Sequence, residues 1–156
     1  MSRPLVVCRA GCGEAAQITA LVLRSKAVWG YDAQFMRRAA AELVVSEHDI
    51  AVRDVFVAHF GETLAGVVGI DHVTEPPELD LLFVDPTYMG TGVGRSLLRH
   101  ALAAARARGL RELAIASDPH AEAFYVSQGA VRVGTQRSPS TGRELPLLRI
   151  ATDAAS

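Results

Sequence analysis

Cysteine is scarce in this chain: Cys8 and Cys12 are its two examples among 156 residues. One bridge would be a poor disulfide framework for a chain of this length. No second cysteine pair and no His-x-x-x-His completes a zinc site. His48, His59, His100 and His120 show no metal-ligand spacing either, so no metal is expected. An excess of charge is also missing, since 16 Lys and Arg face 17 Asp and Glu for a net charge of −1. That balance argues against a general nucleic-acid binder, although a local basic patch around a phosphate remains compatible with it. Apolar runs such as Leu64 to Ile70 are too short to span a bilayer. Arg3 is followed by no apolar h-region, so the start does not read as a secretory signal. The expectation is a cytoplasmic protein with no membrane or nucleic-acid partner.

Apolar residues are plentiful at 49%, enough for a sizeable core without staples. The length suits one domain, read as residues 1–151 with a short tail at 152–156. Leu5 to Arg9 reads as a strand, and Glu14 to Ala27 carries helical spacing with Ile18, Leu21 and Val22 on one face. Trp29-Gly30-Tyr31 interrupts that helix, and Asp32 is placed to cap a second one through about Leu43. Val55 to Phe60 and Leu64 to Val73 read as strands joined by a turn at Gly61-Glu62-Thr63. After a loop with Pro76 and Pro77, Glu78 to Val84 is a third strand, almost wholly apolar after Asp80, as expected for a buried position. Val93 to Arg108 is a long amphipathic helix stopped by Gly109. Leu113 to Ala116 is a strand, Asp118-Pro119 signals a helix start with Asp118 as cap, and Gly129 stops that helix. Two strands, from Val131 and over Leu145 to Ile150, close the chain around a polar turn at Ser138 to Gly142. The order predicts an α/β (α+β) fold with a mixed, mostly antiparallel sheet and about four flanking helices.

The most informative segment is Gly90-Thr91-Gly92-Val93-Gly94-Arg95, which follows a strand and opens a helix. Glycine permits positive φ and lets a ligand approach the backbone. The free amides and the dipole of a helix start favour an anion such as a phosphate. Three alternating glycines exceed what a tight turn needs. A P-loop would require Gly-Lys-Ser/Thr, which is absent. The dinucleotide spacing Gly-x-Gly-x-x-Gly is not met, and the turn lies behind an antiparallel meander.

This turn and its approach, Leu82-Phe83-Val84-Asp85-Pro86, resemble the acyl-CoA loop of the GNAT acetyltransferase superfamily, written Arg/Gln-x-x-Gly-x-Gly/Ala. A second stretch, Asp118 to Tyr125 followed by Gln128-Gly129-Ala130, resembles that superfamily's Asn-x-x-Ala-x-x-Phe-Tyr signature with its Gly-aromatic pair. The resemblance implies an N-acetyltransferase that uses acetyl-CoA as acyl donor. Backbone groups of Leu82, Phe83 and Val84 would meet the pantetheine arm. The cofactor-binding set would continue through Met89, Gly90, Thr91, Gly92, Val93, Gly94 and Arg95, whose amides would hold the pyrophosphate. Asp118 joins it in the Asn position. Met89 departs from Arg or Gln, Asp118 from Asn, and Ala130 from the usual Phe. These departures motivate an alternative, a non-catalytic acyl-CoA-binding module of the same fold. A homodimer is common among similar proteins, though nothing in the sequence demands one.

The same resemblance implies Tyr125 as the acid for the departing thiolate. A phenol near ~10 is protonated at neutral pH and can donate to a thiolate whose thiol titrates at about 8.5. Read from the residues alone, Phe124-Tyr125 is ordinary core packing. An acceptor ammonium of about 10.4 must also lose a proton before it attacks. Glu78 is the first candidate base; Asp80, on the same strand, and His72, before the proline loop, are the others, and each also fits a solvated charge at a strand end. Trp29, Tyr31 and Phe35 either wall the acceptor site or pack the helix junction.

Overall fold

A computed structural model describes residues 3–154. The elements run β1 (Leu5–Arg9), α1 (Ala15–Ala27), α2 (Ala33–Leu43), α3 (Glu47–Val52), β2 (Asp54–Phe60), β3 (Thr63–Asp71) and β4 (Glu78–Val84). A single 3-10 turn (Pro86–Tyr88) leads to α4 (Val93–Ala107), β5 (Glu112–Ala116), α5 (Glu122–Ser127), β6 (Val131–Arg137) and β7 (Glu144–Ala151). The strands form one seven-stranded sheet in the order β1-β2-β3-β4-β5-β7-β6. All neighbours pair antiparallel except β4 and β5. This is the expected mixed α/β architecture.

Alternation along the strands explains the layers. Val55, Val57 and Val67 face a core shared with Ile18, Leu21 and Val22 of α1 and with Ala39 and Leu43 of α2. Phe56, Ala58, Val68 and Ile70 face the opposite core with Leu97, Leu98, Ala101 and Leu102 of α4. Each fully buried leucine on α4 contributes about 1.5–3 kcal/mol by leaving water. Helix α4 lies close against the sheet at Gly66. A Cβ there would lie 2.7 Å from Leu97 Cδ1, 3.0 Å from the Phe83 carbonyl oxygen and 3.1 Å from Val93 Cγ1.

Several local signals act as expected. The Asp32 carboxylate accepts from the Phe35 amide at 2.7 Å and caps α2. Gly30, at φ +80°, ends the α1 side of that junction. The sequence reading assigned no element between Leu43 and Val55, where α3 forms on a capping box. Ser46 Oγ accepts from the Asp49 amide at 3.0 Å, and Asp49 accepts from the Ser46 amide at 2.9 Å. One expectation needs correction: Asp118 does not cap the following helix. Helix α5 begins at Glu122, its N-cap is Ala121 without a side-chain bond, and the Asp118 carboxylate is spent elsewhere. At the chain end Thr152 is buried and donates from Oγ1 to the Leu110 carbonyl at 2.8 Å. Ala155 and Ser156, the last of the expected tail, lie outside the described residues. Among the described residues no helix is long and apolar enough to cross a membrane.

Gly66→Ala should lower stability by about 1–3 kcal/mol, because the backbone oxygen and two branched side chains around it cannot all retreat. Urea unfolding of the variant checks this, and an unchanged midpoint would mean that α4 is not seated so tightly on β3.

Candidate active site

The central feature is a wedge between β4 and β5. These parallel strands share one registered pair, Glu78 with Ala114, beside an Ala114 amide that donates to the Pro77 carbonyl at 2.9 Å. On its other edge β4 stays paired to β3 as far as Val84, and β5 stays paired to β7 as far as Ala116. A β-bulge marks where the divergence begins. Gly69 lies opposite Leu81 and Ile70 opposite Leu79, so Asp80 is the extra residue on β4. Bulges bend a strand and re-aim side chains. Beyond it the facing edges of β4 and β5 carry peptide groups that do not bond each other, and such groups require partners.

A cavity of about 590 Å³ follows this wedge. Leu81, Leu82, Phe83 and Val84 line it from β4, and Ile115, Ala116 and Ser117 from β5. Met89, Gly90, Gly92, Gly94 and Arg95 line it at the turn, and Lys26, Trp29, Glu42, Asp118, His120 and Ser138 also border it. Gly90 and Gly92 adopt φ +78° and +91°, and no atom lies within 4 Å of where a Cβ would stand at either. Gly92 caps α4, whose first bond runs from the Ser96 amide to the Gly92 carbonyl at 3.1 Å. The amides of Val93, Gly94 and Arg95 therefore have no acceptor within the helix, at its positive end. Thr91 and Val93 do not line the cavity: the Thr91 hydroxyl bonds the Tyr88 carbonyl, and the Val93 side chain is in the core. Asp85 steadies the approach by accepting from the Thr87 amide at 2.9 Å and from Arg24 of α1 at 2.8 Å.

Another border of the cavity is organised by Asp118. Its carboxylate pairs with the Lys26 ammonium and accepts from the Tyr31 hydroxyl at 2.9 Å and the His120 amide at 2.8 Å. Arg143 donates to the Tyr31 hydroxyl at 2.8 Å and lies 3.6 Å from Asp118. Burial opposes ionisation of Asp118, yet the Lys26 donor and the His120 amide hold its carboxyl well below the ordinary carboxylate range. Trp29 stacks on His120 with centroids 4.8 Å apart, and Tyr31 stacks on Phe35 at 4.1 Å. Of these aromatic residues, Trp29 borders the cavity, whereas Tyr31 and Phe35 stand behind its lining.

Tyr125 lines the cavity and is otherwise buried, with its ring edge-on to Phe124. Burial, reinforced by the Asp118 charge, pushes its phenol well above the ordinary tyrosine value. Glu78 and Asp80 both line the cavity. Burial, with Asp71 adding to it, raises the Glu78 carboxyl. Burial raises Asp80 to about 6, against the pull of Arg53. Arg53 bonds Asp80 and also reaches Asp71 at 3.5 Å and Asp49 at 3.8 Å. His72 follows β3 and does not line the cavity. Among the described residues no group of His, Cys, Asp and Glu is arranged to hold a metal ion.

Residues 28–141 match the family model described as an acetyltransferase (GNAT) domain. The chain belongs to the GNAT acetyltransferase family. Over 85 residues it is 41% identical to the N-alpha-acetyltransferase RimI of Mycobacterium tuberculosis, a match that covers 51% of this chain and 53% of that protein. The matched stretch thus spans about half the length of that curated relative. A GCN5-related N-acetyltransferase of Rhodopseudomonas palustris superposes with a TM-score of 0.79 at 19% identity, covering 97% of this chain and 98% of that one. The PaiA N-acetyltransferase of Thermoplasma acidophilum, solved with coenzyme A, gives 0.75 at 15% identity over 95% and 99%. At these identities the two structures speak for the fold alone.

Within this GNAT domain, sequence reasoning passed over Lys26, Glu42, Ser117 and Ser138 as lining residues. Lys26 had a usable signal. It is the sole lysine beside fifteen arginines, and it sits four residues after Val22 on the apolar face of α1. A lone cation on a buried stripe calls for a buried anion. Glu42 had no local signal, because its partners are the Ser140 amide at 2.8 Å and Ser138, nearly a hundred residues away.

Asp118→Ala should cost about 3 kcal/mol, since it strands the Lys26 ammonium in a buried site. Adding Lys26→Met should recover most of the loss in urea unfolding. A double variant no more stable than the single one would show that the pair is not what couples α1 to the segment before α5.

Proposed function

We propose that this protein is an acetyl-CoA-dependent N-acetyltransferase that acetylates a primary amine by direct attack within a ternary complex. The observation that carries the reading is the wedge, with unpaired β4 and β5 edges leading to a glycine turn at the start of α4. The residues present fit coenzyme A. Peptide groups of Leu82 to Val84 suit the amide-bearing pantetheine arm, and the open positions at Gly90 and Gly92 admit a pyrophosphate against the first-turn amides. Met89 contributes an apolar side chain there, so the anion relies on backbone donors and Arg95. Acetyl-CoA supplies the activated acetyl thioester.

Glu78 receives the proton of the acceptor ammonium, and its raised carboxyl is a better base than a solvated one. Tyr125 hydrogen-bonds the departing thiolate through a phenol that burial keeps protonated at neutral pH, although its raised value makes outright proton transfer uphill in the unliganded site. Cys8 and Cys12 are exposed and do not line the cavity, which favours direct transfer over a covalent enzyme intermediate. Glu42, Trp29 and His120 border the space for the acceptor. The relative that acts as an N-alpha-acetyltransferase makes a peptide N-terminus the first acceptor class to try.

Calorimetry with acetyl-CoA, using ATP and NAD as controls, should show selective binding. No binding would leave the fold without the activity. Tyr125→Phe should lower turnover about 100-fold or more while leaving acetyl-CoA affinity nearly intact. Unchanged turnover would remove Tyr125 from the mechanism. If CoA is bound but no amine in a broad screen releases it above background, the protein is an acyl-CoA-binding module instead.

A further inference from the structure

Around the mouth of the wedge the carboxylates outnumber the cations. Asp71 ends β3 and is the registered partner of Glu78, the first residue of β4. Asp80 follows on the bulge, and Asp49 comes from α3. The charged and titratable groups facing this set are Arg53, which follows α3, His48 of α3 beside Asp49, and the carboxylates themselves; β5 brings the uncharged Ala114 opposite Glu78. Arg53 bonds Asp80 through Oδ2 and reaches Asp71 and Asp49. The other Asp80 oxygen, Oδ1, is buried with no hydrogen-bond partner. Glu78 lines the cavity with no ion pair to a described residue.

Both carboxylates line the cavity and the Glu78 charge raises the Asp80 carboxyl, so the two resist being ionised together. With Asp80 neutral, Glu78 keeps only the rise that its burial and Asp71 give it. An ionised Asp80 raises the proton affinity of Glu78, but it needs a cation to remain ionised. Arg53 does not line the cavity.

We propose that Arg53 is a positioning residue for proton removal: by holding Asp80 and Asp71 it keeps Asp80 ionised beside Glu78, so the ammonium proton is taken by a coupled carboxylate pair. The proton leaves the acceptor nitrogen and is shared by Glu78 and Asp80, with no other bond made or broken. This inference rests on the acetyl-transfer reading and adds to it a residue outside the cavity.

The test is a carboxyl-carbon NMR titration of the free protein, with Glu78 and Asp80 assigned from Glu78→Gln and Asp80→Asn. In the wild type both carbons should report two shared midpoints. Arg53→Gln should raise the upper midpoint by about one pH unit or more, and Arg53→Lys should restore part of that shift. Asp80→Asn should leave Glu78 with one lower midpoint. Independent, unshifted midpoints in wild type and Arg53→Gln would overturn the proposal. Should Arg53→Gln fail to fold, Asp71→Asn keeps the guanidinium and removes a like charge. It should lower the upper midpoint, and no shift would overturn the proposal equally. The titration needs neither acetyl-CoA nor acceptor. Absence of acetyl-CoA binding with the coupled titration intact would therefore overturn the proposal through its premise, not through Arg53.

Discussion

The extra residue in β4 is the constraint on which the rest of the site depends. A parallel pair in the middle of a sheet is normally covered on both faces and zipped along its length. Here the pairing stops after Glu78 and Ala114, next to the bulge at Asp80. Sheet continuity survives because β4 keeps β3 and β5 keeps β7. The split therefore costs pairing along a single seam. In return it creates a cavity with backbone groups on both sides and carries a carboxylate to its mouth.

Two polar assemblies brace that seam from different directions. Lys26 and Asp118 tie the end of α1 to the segment after β5, with Tyr31, His120 and Arg143 completing the carboxylate's partners. Arg53 ties the end of α3 to the start of the seam through Asp80 and Asp71. Neither set resembles a surface ion pair in character, since Asp118 and Lys26 are nearly enclosed and one Asp80 oxygen is fully buried. A buried ion pair adds little net stability, because desolvation offsets the attraction, but it fixes the arrangement, since losing one partner strands the other charge. The two braces lie where α1 and α3, both on the first core's side, meet the open strands.

Most of the fold was legible because its signals are local. Asp32 caps the helix it immediately precedes, the alternation over Val55 to Phe60 reports two covered faces, and the glycines before Arg95 mark positive φ next to a helix start. Helix α3 was equally local, through Ser46 and Asp49, but it is too short to show a periodic face. The errors came from long range. Asp118 before Pro119 has the form of a helix cap, yet Lys26 and Tyr31, about ninety residues earlier in the chain, claim its carboxylate. The Asp80 bulge is a property of register against β3, so β4 alone cannot reveal it. The candidate site divided in the same way: the glycine turn and Tyr125 could be named from motifs and Glu78 from its place at the start of a strand, while Arg53, Lys26 and Glu42 depend on which helices end beside the open strands.

An unpaired strand edge ordinarily invites another strand, and proteins guard outer edges against such addition. This molecule has a pair of unguarded edges in the centre of its sheet. They are enclosed by side chains from α1, α2, α5 and the connection between the first two, with Lys26, Trp29, Leu43 and Phe124 among the walls. A peptide strand entering there would have to displace those walls, whereas a slim chain bearing a few amides would not. The enclosure thus guards these inner edges, because the same walls keep the strand of a neighbouring copy from stitching into the sheet.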